Sequence, residues 1–214
     1  MKYKAIIFDL DGTLTDTLED LYISTNYALR ATGLPERSIE EVRRFVGNGV
    51  RKLIERAVPK SAPQSVVEAC FTSFRAHYMI HCQDHTSLYP GISTLLMTLQ
   101  AKGYRMAVVS NKVQEGVTEL AGTFFHGLID VAIGERRGIP RKPEPDMVLE
   151  ALQRLGVSAD EAVYVGDSDV DLQTAANAGL PCISVLWGFR SRDFLVANGA
   201  TAFAEKPEDV LRLV

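Results

Sequence analysis

The sequence predicts an α/β fold, a Rossmann-like doubly wound parallel sheet with an inserted α-helical domain. Short apolar runs rich in β-branched residues predict the sheet, and helical patterns between most of them predict its parallel order. Strands that alternate with helices form open sheets, whose ligands bind beyond the carboxyl ends of the strands. The predicted strands are Ala5–Phe8, Met106–Val109, Ile129–Ile133, Ala162–Val165 and Cys182–Leu186.

A long helical stretch after the first predicted strand breaks this alternation. From about Leu18 to about His85 the apolar spacing is helical, and no clear strand interrupts it. This pattern predicts a helical domain over residues 17–85, inserted into a core formed by residues 1–16 and 86–214.

Composition excludes several classes of protein. The 214 residues are 46% hydrophobic and 23% charged, which is enough for a sizeable core. The net charge of -4 argues against a general nucleic-acid binder. No run approaches the roughly 18 apolar residues of a membrane span. Three cysteines without metal-finger spacing favour a reducing, cytoplasmic compartment.

The first strand leads directly into the stretch FDLDGTLTDT, which carries Asp9, Asp11 and Asp16. Gly12 permits a sharp turn after the strand, and Thr13 offers a hydroxyl. A calcium loop does not fit, because the glycine is fourth rather than sixth from Asp9 and no helix precedes it. The alternative is an acidic turn that caps a helix.

Three later segments place polar residues after strands or before helices. Ser110 and Asn111 end the second strand, where a hydroxyl and backbone amides suit a phosphoryl oxygen, although a simple turn has the same composition. Prolines at 143 and 145 favour a helix start and hold Lys142 as a point charge; the alternative is an exposed loop lysine. Asp167 and Asp171 are four apart, which predicts one side of the first turn of a helix.

These residues should meet at one edge of the sheet. Asp9, Asp11, Asp167 and Asp171 supply four carboxylates, and Lys142 supplies one positive charge. One lysine cannot offset four carboxylates, whereas a bound divalent cation can. Since all the ligands are oxygens, Mg²⁺ is the first choice.

The four segments FDLDGTLTDT, VVSNK, RKPEPD and VGDSDVD occur in this order between Phe8 and Asp171. They resemble the four motifs of the haloacid dehalogenase-like hydrolase superfamily. The helical insert resembles the cap domain of that family. The stretch FVGNGVRKL at 45–53 resembles the cap loop of phosphoglycolate phosphatases.

The resemblance implies phosphoryl transfer through an aspartyl-phosphate. Asp9 would be the nucleophile, and Asp11 would protonate the leaving oxygen and then activate water. Ser110 and the Asn111 backbone would hold phosphoryl oxygens. Lys142 would neutralise charge on Asp9 and on the phosphate.

The resemblance also implies a metal site with particular ligands. Mg²⁺ would bind the Asp9 carboxylate, the Asp11 backbone carbonyl and Asp167. Asp171 would orient the waters on the metal.

The insert carries candidate specificity residues. Gly47, Asn48 and Gly49 should break a helix pair, and the Arg51 that follows suits the carboxylate of a substrate such as phosphoglycolate. A helix–helix turn followed by solvated charges is the alternative interpretation.

Three other features of the sequence lie outside this mechanism. His77, His81 and His85 have helical spacing that suits zinc, but residues 83–87 look like the return linker, which would end the helix before His85. Trp187–Phe189, after the fifth strand, either borders the site or forms a plain loop. Asp16, at the joint with the insert, is expected to have a structural or hinge role.

The sequence therefore predicts a Mg²⁺-dependent phosphatase acting on a small phosphorylated metabolite, with 2-phosphoglycolate as the leading substrate. Alternatives in the same superfamily are a pyrophosphatase, a nucleotidase, or a sugar-phosphate phosphatase or mutase. A phosphonate hydrolase would lack the second aspartate, and a non-catalytic binding module would be expected to lack one of Asp9, Asp11, Lys142 or Asp167. We expect no nucleic-acid or membrane partner, and a monomer or homodimer.

Overall fold

The computed structural model describes residues 2–214, which divide into two compact units. The α/β unit comprises the residues up to Thr15 together with Leu88–Val214, and the helical unit comprises Asp16–Ser87. Along the chain, the helical unit is thus inserted between the main-sheet strand Ala5–Phe8 and the next main-sheet strand, Arg105–Val113.

Within residues 2–214, eight strands form two sheets. Six strands make a sheet with the order β5-β4-β1-β6-β7-β8, in which every neighbouring pair is parallel. β2 and β3 pair with each other as a second, two-stranded sheet. The strands are β1 Ala5–Phe8, β2 Thr15–Asp16, β3 Ser87–Leu88, β4 Arg105–Val113, β5 Val131–Glu135, β6 Ala162–Gly166, β7 Cys182–Val185 and β8 Ala202–Ala204.

The described residues also form ten α-helices, of which the first four belong to the helical unit. A π-helical turn at Ala121–Phe125 and a 3-10 turn at Ala159–Glu161 lie in the α/β unit. The helices are α1 Leu18–Ala31, α2 Ile39–Phe45, α3 Gly49–Ala57, α4 Gln64–His81, α5 Ile92–Ala101, α6 Gln114–Leu120, α7 Asp146–Leu155, α8 Asp169–Ala178, α9 Arg192–Ala197 and α10 Pro207–Leu213.

The central strand β1 shows why the sheet is covered on both faces. Successive side chains of a strand point to opposite faces, and here Ile6 and Phe8 enter one apolar cluster while Ala5 and Ile7 enter the other. Each of these side chains is fully buried. Burying a large apolar side chain contributes about 1.5–3 kcal/mol, so such a strand is stable only between two helical layers.

The predicted fold class is confirmed, with differences in individual strands. β4 continues beyond the predicted Val109 as far as Val113, and β5 begins two residues later than predicted, at Val131. The edge strand β8 was missed, because Ala202-Phe203-Ala204 is too short to give an apolar run. The sheet therefore has six strands rather than five.

Two aspartates organise the ends of the helical unit. The Asp20 carboxylate on α1 accepts hydrogen bonds from the backbone of His85 and Thr86 and from the Thr86 hydroxyl at 2.7 Å. This contact fastens the returning chain to α1. The exposed Asp16 accepts a bond from the Leu18 amide at 3.2 Å, which satisfies one of the unpaired donors at the start of α1.

Candidate active site

The site lies where the central strands of the main sheet end. Asp9 follows β1 directly, and its amide donates to the carbonyl of Val165 on β6 at 2.9 Å. Asp167 follows the end of β6, and Ser110 lies on β4, on the other side of β1. Parallel strands bring their carboxyl ends to one edge, so segments distant in sequence meet there.

Lys142 is the centre of a buried polar network. Its Nζ lies 2.7 Å from Asp9 Oδ1 and 2.8 Å from Asp171 Oδ1, and it donates to the Tyr164 hydroxyl at 3.0 Å. The residue is only 3% exposed, so it is not an exposed loop lysine. Although burial opposes the charged form, Asp171 and Asp9 raise the pKa of Lys142 well above its usual value.

The start of α8 fixes Asp171. Ser168 is the N-cap. Its amide donates to Asp171 Oδ2 at 3.1 Å and its hydroxyl oxygen accepts from the Asp171 amide at 3.4 Å, which forms a capping box, and the hydroxyl also donates to Asp171 Oδ2 at 2.6 Å. The prediction that Asp167 and Asp171 share one side of the first helical turn was wrong for Asp167. Asp167 precedes the N-cap and lies in the turn that follows β6, because the Ser168 side chain takes the capping role.

The loop after β7 borders the site and holds Asp167. The amide of Phe189 donates to Asp167 Oδ2 at 2.6 Å, and the Trp187 indole donates to the Thr13 carbonyl at 2.9 Å. Gly12 has a φ of +92°, and a Cβ there would lie 2.6 Å from Asp167 Oδ2. Only glycine combines this turn with so close an approach.

Three of the buried carboxylates form a group suited to a metal ion. Asp9, Asp167 and Asp171 each offer an oxygen, and these oxygens lie within 4.8 Å of one another. Burial and the neighbouring Asp171 raise the pKa of Asp167 to about 7, and the same causes raise the pKa of Asp9. Excess negative charge in a buried, all-oxygen donor set fits a hard divalent cation.

Asp11 is placed apart from that group. Its Oδ1 lies 3.2 Å from the Nζ of Lys112, on β4. The nearby Ser110 hydroxyl accepts a bond from the Lys112 amide at 3.2 Å, and the Asn111 side chain donates to the Lys142 carbonyl at 3.1 Å. Ser110 and Asn111 are both buried. The second and third sequence segments are thereby joined directly.

Sequence reasoning missed the roles of two residues of this site. Tyr164 lies within an apolar strand, so the pattern predicted only a core residue. The hydroxyl of a buried tyrosine usually makes a hydrogen bond, and Tyr164 lies two residues before the strand ends. Lys112 lies within the VVSNK segment, but nothing in its sequence position predicts a role. Phe189 belongs to the loop that was expected either to border the site or to be plain, and it borders the site through its backbone amide.

In the helical unit, the predicted helix break occurs between α2 and α3. Gly47 and Asn48 lie between the two helices, and Gly49 is the first residue of α3. Arg56 donates to the Asn48 side chain at 2.6 Å and to the Phe45 carbonyl at 2.7 Å. These bonds fasten the break to the following helix.

Arg51 is engaged inside the helical unit. Its guanidinium makes two bonds to the Glu68 carboxylate, at 2.8 and 2.9 Å, and lies 3.9 Å from the centroid of the Phe71 ring. The bidentate contact that was predicted for a substrate carboxylate is made here with a residue of α4.

The three histidines have separate partners. α4 ends at His81, so the predicted end of the helix before His85 is confirmed. His77 Nδ1 lies 3.0 Å from the Ser24 hydroxyl, whereas His81 Nδ1 lies 2.8 Å from Asp84 Oδ2. Within residues 2–214, the metal-ligand group of three or more is the aspartate group described above, not the histidines.

The chain is similar in sequence to several known proteins. Residues 6–185 match the family model for haloacid dehalogenase-like hydrolases. A phosphoglycolate phosphatase from Aquifex aeolicus is 32% identical over 212 residues, covering 99% of this chain and 96% of the relative. One from Rhodospirillum rubrum is 36% identical over 208 residues, covering 93% of this chain and 86% of the relative.

The fold is also similar to those of solved structures. A Lactobacillus delbrueckii protein, provisionally described as a phosphoglycolate phosphatase, superposes with a TM-score of 0.96 at 40% identity and covers 100% of this chain and 98% of its own. The CbbY protein of Rhodobacter sphaeroides, solved in complex with phosphate, gives 0.73 at 27% identity, covering 97% of this chain and 96% of its own. Separately, none of the helices within residues 2–214 has the length and apolarity needed to cross a membrane.

Proposed function

This chain belongs to the haloacid dehalogenase-like hydrolases, and we propose that it is a Mg²⁺-dependent phosphatase that hydrolyses 2-phosphoglycolate through an aspartyl-phosphate. One observation carries the proposal. Asp9, at the end of the central strand, is buried against Lys142 with Asp167 beside it, in a chain whose relatives are phosphoglycolate phosphatases.

Asp9 is the proposed nucleophile. One of its carboxylate oxygens attacks phosphorus, and the bond from phosphorus to the ester oxygen breaks in line with the attack. The Lys142 ammonium, held 2.7 Å from Asp9 Oδ1, offsets negative charge that gathers on the carboxylate and the phosphoryl group. Ser110 and the Asn111 backbone are the proposed donors to the phosphoryl oxygens.

Asp11 is the proposed general acid and base. It donates a proton to the departing alkoxide, and it then accepts a proton from the water that attacks the aspartyl-phosphate. The second step returns Asp9 as a carboxylate and releases inorganic phosphate. Asp11 is suited to this exchange because its side chain is about one-fifth exposed, whereas Asp167 and Asp171 are buried and fixed.

The carboxylates that would hold Mg²⁺ are Asp9 and Asp167, with the Asp11 backbone carbonyl, and Asp171 would orient the waters on the metal. When bound, the ion would neutralise this cluster and stabilise charge on the transferring phosphoryl group. Asp171 reaches this position through two fixed contacts, the capping box of α8 and the ion pair with Lys142.

We propose that the helical unit acts as the cap of the enzyme, with Gly47, Asn48 and Gly49 in its specificity loop. This assignment depends on the resemblance of the 45–53 stretch to the cap loop of phosphoglycolate phosphatases. Recognition of a substrate carboxylate by Arg51 would require the guanidinium to leave Glu68.

A substrate panel tests the proposal. The purified chain with Mg²⁺ is given 2-phosphoglycolate, pyrophosphate, nucleoside monophosphates and sugar phosphates, and phosphate release is measured. We expect the highest kcat/KM on 2-phosphoglycolate and loss of activity after EDTA treatment, restored by added Mg²⁺. A higher kcat/KM on another substrate would reassign the substrate, and activity that survives thorough metal removal would contradict the metal role.

A further inference from the structure

Lys112 is a nearly buried cation to which the proposed mechanism gives no role. Its side chain is 7% exposed, and its Nζ donates to Asp11 Oδ1 at 3.2 Å. Exposed lysine pairs contribute little, because a mobile side chain loses entropy when it is fixed. The burial of the Lys112 side chain beside Asp11 therefore requires a physical reason.

An irregularity between β4 and β5 aims Lys112 at the site. Val109 pairs with Ile133 and Val113 pairs with Glu135, so Ser110, Asn111 and Lys112 face the single residue Gly134. Bulges of this kind turn a side chain away from the regular alternation of a strand.

Gly134 and Gln114 stabilise the bulge. A Cβ on Gly134 would lie 2.7 Å from the Lys112 carbonyl oxygen and from the Gln114 Cα, so no larger residue fits opposite the bulge. The Gln114 side chain accepts a bond from the Gly134 amide at 2.8 Å and donates to the Ala132 carbonyl at 3.2 Å. These two bonds fix β5 against the bulged segment.

The stem of Lys112 is also held. Its Cε, Cδ and Cγ atoms pass 3.4–3.5 Å from the point where a side chain on Gly116 of α6 would begin. The bulge and this packing leave the ammonium directed towards Asp11.

We propose that Lys112 is a positioning residue that holds Asp11 Oδ1, so that the other oxygen of the same carboxylate faces the leaving group. This inference rests on the proposed function, in which Asp11 protonates the departing oxygen. A charge-assisted hydrogen bond fixes the rotation of a carboxylate that is otherwise partly exposed. Correct geometry of the proton donor then lowers the barrier to departure of the leaving group.

The dependence of the rate on the leaving group tests this role. Phenolate from phenyl phosphate is a poorer leaving group than p-nitrophenolate and gains more from protonation. The measured quantity is kcat/KM, which reports only the steps up to departure of the leaving group. For Lys112→Met we expect a loss of about tenfold or more on phenyl phosphate and 2-phosphoglycolate, and of less than about threefold on p-nitrophenyl phosphate.

Two further variants make the test specific. Lys112→Arg keeps a cationic donor and should restore part of the loss on phenyl phosphate. Lys102→Met, which removes an exposed lysine of the same unit, should leave both rates unchanged. Circular dichroism and the thermal unfolding midpoint of each variant show whether it is folded. If Lys112→Met does not fold, the test is made with Lys112→Arg alone. For that variant we expect a larger loss of kcat/KM on phenyl phosphate than on p-nitrophenyl phosphate.

Two results would overturn the inference. Equal losses on both aryl phosphates would assign Lys112 to phosphate binding or to the fold, and unchanged rates on both would remove its role entirely. A wild-type protein that hydrolyses no phosphomonoester with Mg²⁺ would overturn the proposed function, and this inference with it.

Discussion

The ion pairs at the sheet edge of the α/β unit and the exposed ion pairs of the helical unit differ in burial. In the α/β unit, Asp9, Lys142, Asp167 and Asp171 are all buried at one edge of the sheet. In the helical unit, the Arg51–Glu68 pair is made by side chains that are 31% and 50% exposed. Burying charges is expensive unless they are paired, so the first arrangement persists only with strong compensation.

The difference separates residues that have a chemical task from residues that stabilise a surface. Water already solvates the exposed pairs of the helical unit, and each adds at most about 1 kcal/mol to stability. The carboxylates of the α/β unit are held close together although they repel one another. A cluster of that kind is a general property of phosphoryl-transfer and metal sites.

The largest expected effect comes from Asp9→Asn. The substitution keeps the size of the side chain but removes the nucleophile, so turnover of p-nitrophenyl phosphate should fall by at least about 10⁴-fold. Circular dichroism should be unchanged. Asp16→Asn is the matched control, since Asp16 is an exposed aspartate of the same stretch, and it should keep most of the activity. Near-native turnover by Asp9→Asn would exclude the aspartyl-phosphate mechanism.

Lys142→Met should lower both activity and stability. It leaves Asp9 and Asp171 without their buried counter-charge, and losing one partner of a buried ion pair costs about 3–5 kcal/mol. The free energy of unfolding in urea, measured with EDTA present, checks this value. Lys102→Met should change it by less than about 0.5 kcal/mol. Equal changes in the free energy of unfolding for Lys142→Met and Lys102→Met would mean that the buried ion pairs of Lys142 do not stabilise the fold.

The third expected effect is a pH dependence of stabilisation by Mg²⁺. In the metal-free protein the pKa of Asp167 is about 7, against 3.8 for the ordinary residue, so the folded state holds an extra proton between these values. Raising the pH from about 4 to about 7 therefore lowers the free energy of unfolding without metal. A bound cation competes with that proton, so its stabilising effect grows as the pH rises through about 7.

Thermal unfolding with and without saturating Mg²⁺ measures this effect. The increase in stability should be about 2 kcal/mol smaller near pH 5.5 than near pH 8, since each pH unit below the pKa costs about 1.4 kcal/mol. Ca²⁺ is a useful comparison ion because it accepts the same oxygen ligands. An increase that is independent of pH would show that Asp167 is not among the ligands.

The smallest expected effect is that of Arg51→Ala. The exposed pair with Glu68 predicts a stability loss of at most about 1 kcal/mol. Since the guanidinium is engaged by Glu68, we expect small and equal changes in kcat/KM on 2-phosphoglycolate and p-nitrophenyl phosphate. A loss confined to 2-phosphoglycolate would instead assign Arg51 to the substrate carboxylate and break the contrast between the two units.

Much of the fold and site could be predicted because local patterns carry them. The apolar runs of β1, β6 and β7 are buried on both faces, which makes them continuous in sequence. The missed strand β8 has only three residues and gains its place from pairing with β7. The position of Asp167 was predicted wrongly because the helix begins after Ser168, whose side chain caps it, and the spacing of the two aspartates alone does not place that cap.

The sequence by itself determined the parallel α/β class, the helical insert and the order of four polar segments along the chain. Tertiary structure decided which charges are buried together. The pairing of Lys142 with Asp9 joins residues 133 positions apart, and the bulge that turns Lys112 to Asp11 exists only between β4 and β5. Such contacts depend on strand register and on the space left by Gly134, which are properties of neighbouring strands and not of either segment alone.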